Sequence, residues 1–279
     1  MPKISILLPI YGESIYLSEA IESVINQSFQ DWELIIISDP PIGQKTREIV
    51  GEYLKKDPRI KYFENKIKLG FPKSLNRGLE KAQGEYIARI DDDDIWNNRK
   101  KIEKQLEFLE RNKEYLLVGS GAIMIDERGK EIGRFLEPEK DSEIRNFILY
   151  RNPFLHSSTL FCKDVVEKLG GYDETVPGAC DYDLWLRLGK IGKFYNFPEF
   201  LIRFRMPPSY RNPEKVRFQR IQRTLEKIRI IKRYKKDYSS FYKAFFKDYL
   251  KLIYLITLAR FSKLDNFLYK KRQIDRWRI

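Results

Sequence analysis

Tyr86 to Ile90 is a mostly apolar, β-prone run that passes straight into four consecutive aspartates, Asp91 to Asp94. The five residues predict a short buried strand, and the acids predict its carboxyl end. Adjacent like charges repel, so a chain keeps four carboxylates at a strand end where something cationic sits. Hard, oxygen-loving Mg2+ or Mn2+ is the natural counter-charge. In an open α/β sheet the carboxyl ends of strands are also where ligands dock. A plainer reading is a solvated acidic loop in which Asp94 or Asn97 caps a helix beginning near Arg99. The neighbouring segments favour the first reading.

Ile4 to Leu8 is a buried-strand pattern stopped by Pro9, and Tyr11-Gly12-Glu13 leads into a helix with Leu17, Ile21, Val24 and Ile25 apolar. Asp31 to Ser38 is a second strand, ending at Asp39 and the turn residues Pro40, Pro41 and Gly43. A helix over 45–55, a strand over 59–64 and a helix over 71–82, closed by Gly84, lead to the acid-ended strand. This alternation predicts a parallel sheet with right-handed crossovers, so residues 1–95 read as a nucleotide-binding half of Rossmann type. The strand ends at Tyr11 to Glu13, at Asp39 and at Asp91 to Asp94 then converge on one crevice. Neither Gly-x-Gly-x-x-Gly after the first strand nor a Gly-Lys-Ser/Thr loop is present. A bound diphosphate therefore has to be neutralised by a metal and by basic side chains.

Downstream, the pattern predicts a helix over 99–113, a strand over 115–118 and a hairpin over 119–134 turning at Asp126 to Gly129. A helix over 141–150 and a strand over 158–162 follow. Gly178 to Leu188 is a loop breaking into a helix with Asp181 or Asp183 near its first turn, where the helix dipole favours acids whatever their function. After Pro213 the character shifts. Phe218, Ile221, Leu225, Ile228 and Ile231 mark an amphipathic helix whose other faces are rich in Lys and Arg. A second helix over 239–261 is apolar on most sides, and Lys270, Lys271, Arg272, Arg276 and Arg278 surround Trp277. The expected architecture is an α/β fold with a Rossmann-like, mostly parallel sheet flanked by helices in 1–210, and a basic helical appendage in 211–279.

With 279 residues, 42% of them hydrophobic, the chain can bury a real core. Its net charge of +13 favours acidic partners such as nucleic acid, anionic lipid or phosphorylated substrates. Cys162 and Cys180 make neither a disulfide framework nor a zinc site, and fit a reducing cytosol. The strand at Ile4 leaves no room for a signal peptide, and no stretch is apolar for the ~18–20 residues of a membrane span. Basic and aromatic residues together in 211–279 are the signature of a helix lying on anionic lipid. The alternative is packing of the same face on the rest of the chain, or on a second copy in a homodimer. The expected location is cytoplasmic, peripheral at the inner face of the cell membrane on the lipid reading.

The segments Ile4-Ser-Ile-Leu-Leu-Pro-Ile-Tyr11, Ala20 to Phe29, Asp31-Trp-Glu-Leu-Ile35, Asn76-Arg-Gly78, Gly84-Glu-Tyr-Ile-Ala88, Asp91 to Asp94 and Asp181-Tyr-Asp-Leu-Trp185 occur in that order. In this the chain resembles the family 2 glycosyltransferases, inverting enzymes of GT-A fold that build bacterial and archaeal surface polysaccharides. The resemblance runs from residue 4 to about 205, and implies a nucleotide-diphosphate sugar donor, usually a UDP-sugar, with Mn2+ or Mg2+. It divides 1–210 into the nucleotide-binding half 1–95 and an acceptor-binding half 96–210. Pro9, Tyr11 and Glu13 match the first nucleotide-contacting segment, and Asp39 the acid that reads uracil. Asp91 and Asp93 fill the Asp-x-Asp motif, with Asp91 and Asp92 against the nucleotide and Asp93, with Asp91, at the metal. Asp181 matches the catalytic base. His156, Arg205, Cys180 and Trp185 are expected at the acceptor or the diphosphate.

Three positions depart from the family pattern. Cys180 stands where Glu often precedes the base, Pro40-Pro41 replaces a Gly-Ser pair, and Phe204-Arg205-Met206-Pro207 lacks the histidine of Tyr-Arg-x-His. Two other readings compete. A sugar-nucleotide nucleotidyltransferase would want a Gly-rich, basic first loop, which Pro9 to Glu13 lacks. A basic nucleic-acid-binding protein would want a recognised motif beside the positive charge concentrated after residue 202, and none is present, so no nucleic acid is expected as partner.

Overall fold

The computed structural model describes residues 1–206 and 213–257. Strand β1 (Ile4–Gly12) lies parallel to β2 (Trp32–Ile42) on one side and to β4 (Tyr86–Arg89) on the other, with β3 (Ile60–Glu64) outside β2. Helices α1 (Leu17–Ile25), α2 (Gln44–Lys56) and α3 (Phe71–Lys81) make the crossovers. The pleat sends Ile4, Ile6 and Leu8 to one face and Leu7 to the other. The first face packs on α1, α2 and α4 (Lys101–Arg111). The second packs on α3, α5 (Asp141–Phe147), α6 (Lys163–Lys168) and α7 (Cys180–Leu188). Covering on both faces explains why these strands read as unbroken apolar runs.

Beyond β4 the sheet is mixed. Strand β8 (Leu160–Cys162) runs antiparallel to both β4 and β6 (Tyr115–Ile125). Strand β6 turns at 126–129 into antiparallel β7 (Glu131–Phe135) and pairs in parallel with β9 (Lys193–Arg205). Strand β9 is also antiparallel to the two-residue β5 (Ile95–Trp96), and the order is β3-β2-β1-β4-β8-β6-β9-β5. A tight turn returns antiparallel, whereas the parallel β6/β9 pair has the α5–α7 stretch for its crossover. The strand expected over 115–118 and the first arm of the hairpin are thus one strand, with irregular register to β9 around Gly121.

Prolines stop neither of the first two strands where expected: β1 passes Pro9 to Gly12, and β2 passes Pro40 and Pro41 to Ile42. The β4 pairing ends at Leu7↔Arg89 and the β3 pairing at Ser38↔Glu64. The prolines lie beyond those neighbours, where no further strand asks for an amide donor on that side. Gly84 precedes β4 because a Cβ there would stand 2.5 Å from the Ser5 amide nitrogen.

The expected boundary near residue 210 lies outside the described residues, as do Pro207 and Lys270, Lys271, Arg272, Arg276, Trp277 and Arg278. Helices α8 (Pro213–Arg233) and α9 (Phe241–Thr257) close over α7, and Ile230, Ile231, Tyr234, Tyr238, Phe241 and Ala244 join its core. Tyr238 Oη donates to the Leu186 carbonyl at 3.0 Å, and Lys227 Nζ to the Tyr150 carbonyl at 2.6 Å. The inward face of the tail therefore packs on the rest of the chain.

Lys101 is fully buried in the other core. Its ammonium meets only Gln105 Oε1, at 2.8 Å, and the Trp96 ring, 4.2 Å from the centroid. Burial holds its pKa well below the usual lysine value. The unfolded chain then binds one more proton between the two values, so this residue makes stability rise with pH in that window by at most about 1.4 kcal/mol per unit. Lys101→Met removes the dependence. In chemical denaturation at pH 7 and pH 9, its stability relative to the parent should fall as pH rises; a difference independent of pH would show that the lysine stays charged.

Candidate active site

The ends of β1, β2 and β4 lie side by side. Tyr11 pairs with Asp39 across β1/β2, and Arg89, two residues before the acid run, pairs with Leu7 across β1/β4. Pro9 is buried in the strand, whereas Tyr11 is 53% exposed and carries Lys68, whose Nζ donates to Tyr11 Oη at 2.8 Å and sits 4.2 Å over the ring. Glu13 is exposed and lies against Gly43, filling the space a Cβ would need there. Asp39 is buried, and its carboxylate accepts from the amides of Leu69 and Gly70, both at 2.7 Å, and from Asn65 Nδ2 at 3.2 Å. Gly70 has φ +87°, a conformation that favours glycine. Asp39 thus fixes the loop between β3 and α3 that places Lys68 beside Tyr11.

Arg89 is fully buried between the acids and the Phe71 ring. Its guanidinium pairs with Asp91 Oδ1. Ser157 completes the clasp: its Oγ accepts the Asp91 amide at 2.9 Å and donates to Asp91 Oδ2 at 3.1 Å. Burial and the charges of Asp91 and Asp92 push Asp93 up to about 7. Burial likewise raises Asp92, offset in part by a hydrogen bond from Ser14. Asp94 is fully buried, with Oδ1 accepting the Arg205 amide at 2.9 Å. Neither Asp94 nor Asn97 caps the next helix, whose N-cap is Lys100 with no side-chain bond.

Asp181 stands in the first turn of α7. Asn152 Nδ2 donates to its Oδ2 at 2.8 Å. Burial raises its pKa, and the Arg89 charge and the α7 amides pull the other way. One guanidinium therefore acts on both the acid run and Asp181. The segment from Asn152 to Ser157 also touches both, holding Asp181 at its first residue and Asp91 at its last. His156, between them, shares a hydrogen bond of 2.9 Å with Tyr172 Oη. Burial first, then the Arg89 charge, hold its pKa well below the ordinary value, so the ring is neutral.

Three expected contacts are revised. Trp185 is fully buried, edge-on to Phe154, Phe161 and His156. Cys180 is 1% exposed in the same core. Both lie in the core and present almost no surface to an acceptor. Arg205 is 3% exposed, and its ion pair is with half-exposed Glu19. Its guanidinium donates to the carbonyls of Asp93 at 2.9 Å and Asp126 at 3.2 Å and to Glu19 Oε2 at 2.8 Å, and lies 3.9 Å over the Tyr16 ring. Its donors are committed to holding the acid loop against α1 and the 126–129 turn.

Among the described residues no three His, Cys, Asp or Glu side chains gather closely enough to hold a metal by themselves. The donor set at Asp91 and Asp93 nevertheless fits a hard divalent ion. It offers carboxylate oxygens only, under mutual repulsion that a cation relieves, and such ions readily take their remaining oxygens from water and substrate phosphates.

A family model described as glycosyl transferase family 2 matches residues 5–170, more than half of the chain. The chain belongs to that family. An uncharacterized glycosyltransferase of Methanocaldococcus jannaschii is 37% identical over 210 residues, 74% of this chain and 71% of the relative. The amylovoran biosynthesis glycosyltransferase AmsE of Erwinia amylovora is 31% identical over 204 residues, 72% of this chain and 75% of AmsE. Among solved structures, the mannosyltransferase PcManGT of Pyrobaculum calidifontis, in complex with GDP-Man and Mn2+, aligns with a TM-score of 0.66 at 17% identity. The alignment covers 90% of this chain and 70% of PcManGT. S. aureus TarS 1–349 in complex with UDP-GlcNAc aligns at 0.61 and 17% identity, over 82% of this chain and 70% of that fragment. At such identity the likeness is one of fold, and the fold is GT-A.

The matched segment of this glycosyltransferase contains Pro9, Tyr11, Glu13, Asp39, the acid run and His156, whereas Asp181 and Arg205 follow it. Around the candidate residues stand Arg89 and Tyr172, which the sequence reading passed over, and Asn152 and Ser157 of the stretch that holds His156. For Arg89 there was a signal, a lone charge inside an otherwise apolar strand abutting four acids.

Proposed function

We propose that this glycosyltransferase moves a sugar, with inversion, from a nucleotide-diphosphate sugar of the UDP type to a hydroxyl of a glycan or lipid-linked acceptor. Asp181 is the base and Asp91 and Asp93 are the seat of a divalent cation. The observation that carries the reading is the Asn152–Ser157 segment, which bonds Asp181 at one end and Asp91 at the other, as a shared site requires. Relatives named for amylovoran and O-antigen biosynthesis support a glycan product. Solved neighbours holding GDP-Man with Mn2+, and UDP-GlcNAc, support the donor class and the metal. The free thiols of Cys162 and Cys180 suit a cytoplasmic reaction.

Inverting transfer is an in-line displacement at the anomeric carbon. The acceptor oxygen attacks from the face opposite the diphosphate and gives its proton to the base as the glycosidic bond forms. Asp181, shielded and oriented by Asn152, takes that proton, a role typically worth about 10²–10⁴-fold. Asp93 and Asp91 would hold a divalent cation, which when bound would supply positive charge for the departing diphosphate. Lys68, beside Tyr11, adds positive charge at the nucleotide end of the cleft. Arg205 and Ser157 hold the acid run in place.

The test is a melting-shift screen of nucleotide sugars with Mn2+, followed by the pH profile of transfer with the best donor at saturating metal. A base must be unprotonated to work, and burial raises Asp181. The rate should therefore rise with pH through a value above the ordinary aspartate range of about 3.9, and then level. A melting temperature that responds to no nucleotide sugar would remove the donor assignment. A rate that falls with rising pH across the same window would remove Asp181 as base.

A further inference from the structure

Helix α9 buries Phe241, Ala244, Asp248 and Leu255 against the protein. Its opposite side carries Tyr242, Phe246, Tyr249, Leu250, Ile253 and Ile256, each at least 44% exposed. At 3.6 residues per turn these six fall within an arc of about 120°. Lys243 and Lys247, both exposed, lie about 20° and 60° beyond one edge of that arc, and exposed Lys251 lies further round toward the buried side. The one acid of the helix, Asp248, faces inward and pairs with Lys227 at 2.6 Å. Lys235 and Lys236 add exposed positive charge at the turn into the helix.

We infer that this outward face of α9 docks the enzyme on an anionic lipid surface. A broad apolar arc edged by lysines, with no exposed acid, is the pattern of a helix lying in a membrane interface. No helix among the described residues is long and apolar enough to cross a membrane. Charge decides between occupants. A second copy paired on the same face would bring the two lysine rows into one interface, whereas anionic headgroups neutralise them. The sequence beyond the helix continues the bias, with seven Lys or Arg against two Asp in residues 258–279. One edge of α9 approaches the segment that holds Asp181. The Lys247 ammonium stands 5.1 Å over the Tyr150 ring, and Tyr150 lies two residues before the Asn152 that holds Asp181.

Flotation of the full chain with vesicles of phosphatidylcholine, with and without phosphatidylglycerol, tests this without any substrate, so it stands or falls separately from the transfer chemistry. The chain should bind the anionic vesicles and release from them at high salt. Phe246→Ser with Ile253→Ser, and separately Lys243→Glu with Lys247→Glu and Lys251→Glu, should each weaken binding at least about tenfold. The melting temperature of the ligand-free chain, which reports the fold, should stay unchanged. Three results would overturn the inference: no binding of the parent chain to anionic vesicles, equal binding by parent and variants, or a parent dimer in light scattering that the serine variant splits. Should a variant fold poorly, the salt and lipid dependence of the parent still decides.

Discussion

Asp181→Asn should lower kcat by about three orders of magnitude while leaving the affinity for nucleotide sugar and Mn2+ within about twofold. The amide keeps the shape of the carboxylate and can still bond Asn152, so the first turn of α7 stays in place, but it cannot take a proton. Because the core beneath it holds Trp185 and Leu186 fully buried, the change removes chemistry and little else. Transfer should be followed as product formed per enzyme, with donor binding titrated in parallel. Turnover within about tenfold of the parent would assign the proton to another group. So would a matched loss in donor affinity, because it would place Asp181 at the donor and not at the acceptor oxygen.

Asp93→Ala is expected to cost about a hundredfold in Mn2+-dependent donor affinity, near 2.7 kcal/mol, and to do so without weakening the fold. Burial and the charges of Asp91 and Asp92 push this carboxyl up to about 7. Above that pH it is an uncompensated charge in the metal-free protein. Removing it relieves repulsion, so the ligand-free melting temperature should hold or rise at pH 8 while the rise produced by donor and Mn2+ disappears. The opposite signs separate a binding role from a structural one. A variant that melts lower without ligand yet binds donor normally would make Asp93 a structural acid. Asp91 does not lend itself to the same test, because its pairing with Arg89 and Ser157 makes its removal a packing change as well.

The parallel half of the fold was legible because burial on both faces of β1, β2 and β4 leaves continuous apolar runs between helices with clear stripes. The acid run was legible because four like charges at a strand end have few physical excuses. Sequence gave less where a side chain's fate depends on a distant strand. Arg205 looks like a free cation in a mixed segment. It is buried because β9 carries it under the acid loop, where its own amide bonds Asp94, and β9 itself is masked by Pro198 and Glu199 in its middle. Trp185 was expected at the acceptor or diphosphate because it closes the Asp181-Tyr-Asp-Leu-Trp185 segment of the family resemblance. In the first turn of α7 only Asp181 keeps partial exposure, and Cys180, Tyr182 and Trp185 are already in the core. Pro9, Pro40 and Pro41 read as stops because sequence does not show that the neighbouring strands end first.

The central claim is that Asp93 and Asp181 serve one cleft in different roles, and calorimetric titration of one nucleotide sugar with Mn2+ into the parent, Asp93→Ala and Asp181→Asn tests it most directly. The account predicts parent-like binding by the Asp181 variant and loss of the metal-dependent part by the Asp93 variant. Full binding by both, or metal-dependent binding lost only in the Asp181 variant, would contradict it.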